Sequence, residues 1–218
     1  MDRKNNYYQE SLAEIEELKK AGKKPSLLLH VCCGPCSCFP LTFLCPYFDV
    51  TILYNNSNIY PEEEYNRRLD SLKTLLREMN RDYGFLIPLI VAPYDHENYI
   101  KSLTPYKDEK EGQKRCEICY AKRIESAFEY AMHNGFEYVS TVMTVSSHKN
   151  SLVINEIGRE LESRYPNVRY FYSDFKKNNG ELIGRQLSDR YGLYMQNYCG
   201  CEFSLYDLKK RFFLLINT

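Results

Sequence analysis

LLLHVCCGPCSC, residues 27–38, decides how this chain folds. Its opening run, LLLHV, is short and apolar and reads as a buried strand, broken by Gly34-Pro35. Four cysteines crowd the break: Cys32, Cys33, Cys36 and Cys38. Within a regular strand, Cys32 and Cys33 would face opposite sides of the sheet. They can reach one site only where the strand ends, and Gly34-Pro35 ends it there.

Working outward, Leu12, Ile15 and Leu18 recur at helical spacing and Gly22 stops them, which predicts an N-terminal helix. Residues 50–54 predict a second strand. Pro61 and three glutamates open a helix running to about Met79. Residues 86–91 predict a third strand, which Pro88 shortens or places at an edge. Residues 116–134 predict a helix capped by Gly135. Then come a strand at 138–142, a helix at 152–164, a strand at 168–172, and helices at 182–190 and 205–212. This alternation predicts an α/β fold: a mostly parallel sheet flanked by helices. One domain spans 1–218, with residues 1–25 as an N-terminal helical extension. In such sheets ligands bind beyond the carboxyl ends of the strands, which is where the first cysteines fall.

Composition limits the chemistry. The chain is 44% hydrophobic and 27% charged, ordinary for a globular protein. No apolar run reaches the roughly 18–20 residues of a membrane helix, and the polar start has no signal-peptide pattern. A cytoplasmic location is expected, without membrane attachment. There, nine cysteines point to metal or redox chemistry rather than structural disulfides. Lysines and arginines equal aspartates and glutamates at 29 each, so nucleic acid could bind only through a local basic face. Twenty tyrosines with no tryptophan are read mainly as packing at core edges.

The remaining cysteines fall into groups. Cys116 and Cys119, in RCEIC, are three apart at a helix start and share one face. The helix dipole, Lys114 and Arg115 are expected to lower their thiol pKa values. Thiolates so spaced can hold one metal or two corners of an iron–sulfur cluster. Cys199-Gly200-Cys201 can close only a small, strained, redox-active disulfide ring, or supply two metal ligands. Cys45 reads as a buried small hydrophobe, and Cys38 as that or a bystander. CGPC (33–36) is also the tetrapeptide of thioredoxin active sites. Thiol exchange of that type leaves Cys116, Cys119, Cys199 and Cys201 without a role.

Six segments together carry a resemblance: HVCCGPCS (30–37), YNNSNIYPEEEYNRR (54–68), RCEICYAKR (115–123), STVMTVSSHKN (140–150), FYSDFK (171–176) and GLYMQNYCGCEFS (192–204). In this order they resemble the cobalamin-independent epoxyqueuosine reductase family, which is similar in fold to the adenine-nucleotide α-hydrolase group. The resemblance implies reduction of the epoxide of epoxyqueuosine, at the wobble position of tRNA, as the last step of queuosine biosynthesis. It implies a 4Fe–4S cluster on Cys32, Cys33, Cys116 and Cys119, and catalytic roles for Cys199 and Cys201 as a redox-active pair. Cys36 falls at the position of a ligand for an additional mononuclear iron. His148, Tyr198 and Asp174 are candidate proton donors. Arg67, Arg68, Lys114, Arg115, Arg123, His148, Lys149 and Arg185 lie in or beside these segments as candidate phosphate contacts. The partners implied are a tRNA bearing epoxyqueuosine and an electron donor. The rival from another class is a structural zinc protein that binds RNA without catalysis.

Overall fold

The computed structural model describes residues 6–216; of the expected N-terminal extension, residues 1–5 lie outside them. In chain order the strands are β1 (Ser26–His30), β2 (Asp49–Tyr54), β3 (Leu89–Val91), β4 (Tyr138–Thr141) and β5 (Arg169–Tyr170). They form a parallel sheet in the order β3-β2-β1-β4-β5. The helices are α1 (Tyr7–Ala21), α2 (Gly34–Leu44), α3 (Glu62–Tyr83), α4 (His96–Lys101), α5 (Lys114–Asn134), α6 (Ser151–Arg164), α7 (Gly180–Arg190) and α8 (Glu202–Ile216). Among the described residues no helix is long and apolar enough to cross a membrane.

Alternation along β1 builds two cores. Leu27 and Leu29 face one side, packed with Ile15 and Leu18 of α1, Leu41 of α2 and Leu72 of α3. Leu28 faces the other, with Ile124 and Phe128 of α5 and Ile154 of α6. Both faces of this strand are buried, which is why LLL does not alternate with polar residues. The chain moves from β1 to β2 to β3, then returns across the sheet to β4. The order therefore switches between β1 and β4, and the crevice beyond their carboxyl ends is the expected ligand position.

Two expected strands are shorter than their apolar runs. Pro88 has no N–H for a ladder, so β3 begins at Leu89, while the Pro88 carbonyl still accepts from Ile52 N at 2.8 Å. β5 keeps only Arg169 and Tyr170. The larger difference lies at Gly34-Pro35. β1 already ends at His30, with residues 31–33 between, so Gly34-Pro35 does not end the strand as expected; it opens α2, with Cys33 at its N-cap and Pro in its first turn. Gly34 is needed for contact rather than for its own dihedrals. A Cβ there would stand 2.8 Å from both the carbonyl oxygen and Oγ of Ser71 on α3.

Gly34→Ala should therefore force α2 and α3 apart and destabilise the protein by about 1–3 kcal/mol, the usual range for overpacking. Denaturant unfolding measures this. An unchanged midpoint would mean that the two helices have room to part.

Candidate metal centre

Cys32 and Cys33 belong to the α1–α3 core and Cys116 to the α5–α6 core, so the two sets approach from opposite faces of the sheet. They can meet only beyond the end of β1. There the Sγ atoms of Cys32, Cys33 and Cys36 lie within 4.8 Å of one another, those of Cys32 and Cys33 being 3.8 Å apart. Cys36 joins because α2 starts at once and brings it back one turn beyond Cys33. α5 places Cys116, Cys119, Tyr120 and Arg123 on one buried face.

Arg123 joins these elements. It is 3% exposed; its Nε donates to His30 Nε2 at 3.3 Å, and Nη2 donates to Asn56 Oδ1 at 2.9 Å. Asn56 Nδ2 in turn donates to the carbonyl of Val31, directly before Cys32. Because His30 Nε2 accepts, its proton sits on Nδ1, 2.9 Å from Thr141 Oγ1. Burial and the Arg123 charge hold His30 neutral, with its pKa lowered to about 3.

The charges around the sulfurs are cationic. Burial works against the charge of Lys149, yet Cys199, Cys32 and Cys36 outweigh it and raise its pKa. Arg123 responds likewise to Cys119 and Cys32, and Arg68 to Cys33. Among the coupled thiols Cys32 ionises first, lowered by hydrogen bonds from Cys33 and Cys36, while Cys36 is pushed up to about 12 by its hydrogen bond with Cys32. Cys116 and Cys119 depart from expectation: burial raises both, although the Gly112 N–H, Arg123 and the Tyr99 hydroxyl act the other way. This donor set fits a thiolate-bound metal group. Several sulfurs converge, and buried cations offset the charge that thiolate ligands bring into a desolvated site.

The Cys199–Cys201 loop is held from α3. Arg68, 2% exposed, bonds Glu64 Oε1 through Nε at 2.7 Å. Its Nη1 and Nη2 donate to the carbonyls of Cys199 at 3.0 Å and Tyr198 at 3.1 Å. Gly200 sits at φ 121°, and a Cβ there would meet Arg68 Nη1 at 2.9 Å. Gly200 thus serves both its own backbone and the close passage of the guanidinium. The Cys201 Sγ accepts from Ser204 N at 3.4 Å, at the start of α8.

The sequence profile of the family described as "Epoxyqueuosine reductase QueH" matches residues 27–207. That is more than four-fifths of the chain. It belongs to the QueH family. Relatives carrying that name include one from Streptococcus pyogenes serotype M1, 35% identical over 89% of this chain and 75% of its own length. The relative from Staphylococcus aureus is 35% identical over 93% and 85%, and that from Thermotoga maritima 34% identical over 85% and 93%.

Within this QueH chain, the arginines expected at phosphates divide. Arg68, Arg115 and Arg123 are buried and internally bonded. Arg115 Nη1 caps the carbonyls of Lys107 and Glu109, each at 2.7 Å, and its guanidinium lies 4.6 Å from the Phe203 ring. Arg67 and Arg185 are exposed, Arg67 resting 3.8 Å over the Tyr194 ring, and Lys149 is half-buried. His148 is exposed. Tyr198 gives its hydroxyl to the Tyr60 carbonyl at 2.5 Å, and Asp174 pairs with Lys176 at 3.2 Å. Cys38 and Cys45 are core residues, as expected for Cys45. Sequence reasoning missed Gln196, whose Nε2 lies 3.2 Å from Cys33 Sγ and 3.6 Å from Cys36 Sγ. It also missed Tyr99, whose hydroxyl is 3.3 Å from Cys119 Sγ. Neither has a local motif; both become legible only once strands and loops are assembled.

Replacing Arg68 with Met leaves Glu64 buried without its partner, which should cost about 3–5 kcal/mol. It should also free the cysteine loop. Hydrogen exchange at the Tyr60 amide, which donates to the Gly200 carbonyl at 2.7 Å, should quicken relative to β1 amides. Unchanged exchange at Tyr60 would mean that the loop holds itself.

Proposed function

We propose that this chain removes the epoxide oxygen of epoxyqueuosine at the wobble position of a tRNA, giving the alkene of queuosine and water. The observation that carries the reading is the gathering of Cys32, Cys33 and Cys36 at the sheet's switch point, in a QueH chain, beside Lys149 and Cys199. Cys32, Cys33, Cys116 and Cys119 would hold a 4Fe–4S cluster, and Cys36 would contribute to an additional mononuclear iron. When bound, the cluster supplies low-potential electrons one at a time, chemistry that bare side chains lack.

The reaction consumes two electrons and two protons per epoxide, and an external electron donor makes up the electrons. Cys199 and Cys201 take part as a pair: closing their disulfide releases two electrons and two protons, and the donor reopens it. Arg68 keeps their loop placed through the two carbonyls it binds. Arg123 keeps the β1 end against α5. Lys149 holds a positive charge at the half-open side of the site, where an oxygen developing negative charge is stabilised. The tRNA phosphates meet the exposed Arg67 and Arg185 and the partly exposed Lys149; the buried arginines take no part in that contact.

Anaerobically purified protein should be brown, with absorption near about 400 nm, a colour a closed zinc–thiolate site does not give. Serine at Cys32, Cys33, Cys116 or Cys119 should remove that band. Serine at Cys199 or Cys201 should abolish turnover with the band retained, and Cys36→Ala should lower turnover sharply with part of it retained. Cys45→Ala should leave both nearly intact. A colourless protein that binds zinc and RNA without turnover would replace this reading with the structural one.

Affinity for tRNA should fall with added salt, and Arg67→Ala or Arg185→Ala should each reduce the log–log slope by about 0.7–0.9. Equal slopes in the variants and the parent would remove both residues from the interface.

A further inference from the structure

Gln196 is the one amide side chain among the described residues with hydrogen-bond geometry to two of the clustered sulfurs. Its Nε2 is 3.2 Å from Cys33 Sγ and 3.6 Å from Cys36 Sγ. Its Oε1 is buried and has no hydrogen-bond partner. An unpaired buried acceptor is a cost and not a hold, so the side chain is not oriented by its carbonyl. The contacts that fix it run through Nε2 to sulfur. The segment carrying it is fixed on both flanks. Tyr194 donates its hydroxyl to Glu64 Oε2 at 2.9 Å, and Arg68 binds the Tyr198 carbonyl at 3.1 Å.

We infer that Gln196 is a positioning residue of the metal centre: its amide donates N–H···S hydrogen bonds to Cys33 and Cys36 and so sets the reduction potential of the metal group they hold. This rests on the proposed function, in which Cys33 belongs to the cluster ligands and Cys36 to the additional iron, and it adds a determinant that bridges the two. The physical basis is general. A donor to a ligating sulfur withdraws electron density from it and stabilises the reduced, more negative state, raising the potential. The cations beside the sulfurs act over distance and together, whereas Gln196 acts on two named sulfurs by direct contact. Its loss should therefore shift the potential without unloading the metal.

The test is a spectroscopic redox titration of the anaerobic holoprotein, with iron and sulfide content measured on the same samples. Gln196→Met keeps the length and removes the donor. Gln196→Glu keeps the shape and sets an acceptor against the sulfurs. Both should retain the parent's iron and sulfide content and titrate at a lower potential, Glu no higher than Met. Thermal unfolding of both variants separates a shift in potential from loss of fold. If Met unfolds the site, the isosteric Glu variant still decides. A potential equal to the parent's in a loaded, folded variant overturns the inference and leaves the proposed function standing. Absence of an iron–sulfur chromophore in the parent itself overturns the proposed centre, and this inference with it.

Discussion

The contact on which the rest depends is the Arg123 guanidinium lodged between His30 and Asn56. A buried cation is costly unless its hydrogen bonds and charge are met. Here two side-chain acceptors meet the first need, and the sulfurs of Cys119 and Cys32 meet much of the second. The arrangement ties the last residue of β1 to the middle of α5. Through Asn56 it also tethers the Val31 carbonyl, one residue before the thiols. α5, the end of the central strand and the loop after β2 are thus joined beside Cys32 and Cys119. Loss of the charge would loosen the cysteine frame as well as the core.

The same device recurs around the site. Arg68 reaches from α3 to the cysteine loop, and Arg115 reaches from the start of α5 to the carbonyls at residues 106–109. In each case a rigid fork of donors from a helix binds backbone carbonyls of an irregular segment. A loop cannot satisfy those carbonyls by a ladder, so the guanidinium does it and fixes the loop's position. Cations placed this way serve twice, because their charge also favours the thiolate form of the cysteines beside them. That accounts for strongly basic character inside a chain whose formal net charge is zero.

What could be read in the sequence follows from locality. LLLHV, the acidic start of α3 and the Gly-terminated α5 are local signals, and their elements lie where expected. α2 was not legible, because Gly-Pro is a turn signal and the need for Gly34 comes from Ser71 on another helix. The cysteine groups were legible as groups, since a metal needs several ligands and their spacing is visible. Their environment was not. The lowered thiol pKa values expected at the α5 start give way to burial, which sequence spacing does not report. An arginine whose partners are backbone carbonyls more than a hundred residues away, as for Arg68, looks like any surface arginine.

The cysteine loop is asymmetric, and this bears on how its two sulfurs divide their work. Cys201 faces back to α8: it accepts from the Ser204 amide and lies 3.3 Å from its hydroxyl, while burial pushes its thiol up to about 12. Cys199 lies in the field of Cys116, Cys119, Lys149 and Arg123, and Cys201 in that of Cys199 and Cys119. In a dithiol pair the sulfur that exchanges with the outside must be reachable and must be able to lose its proton, while its partner can wait protonated. Cys201, buried at the helix start with its thiol pushed up, fits the partner that waits protonated. Two equivalent metal ligands would need both sulfurs deprotonated and turned to one centre. In the proposed relay, the Ser204 contacts hold Cys201 at the start of α8 as the waiting partner.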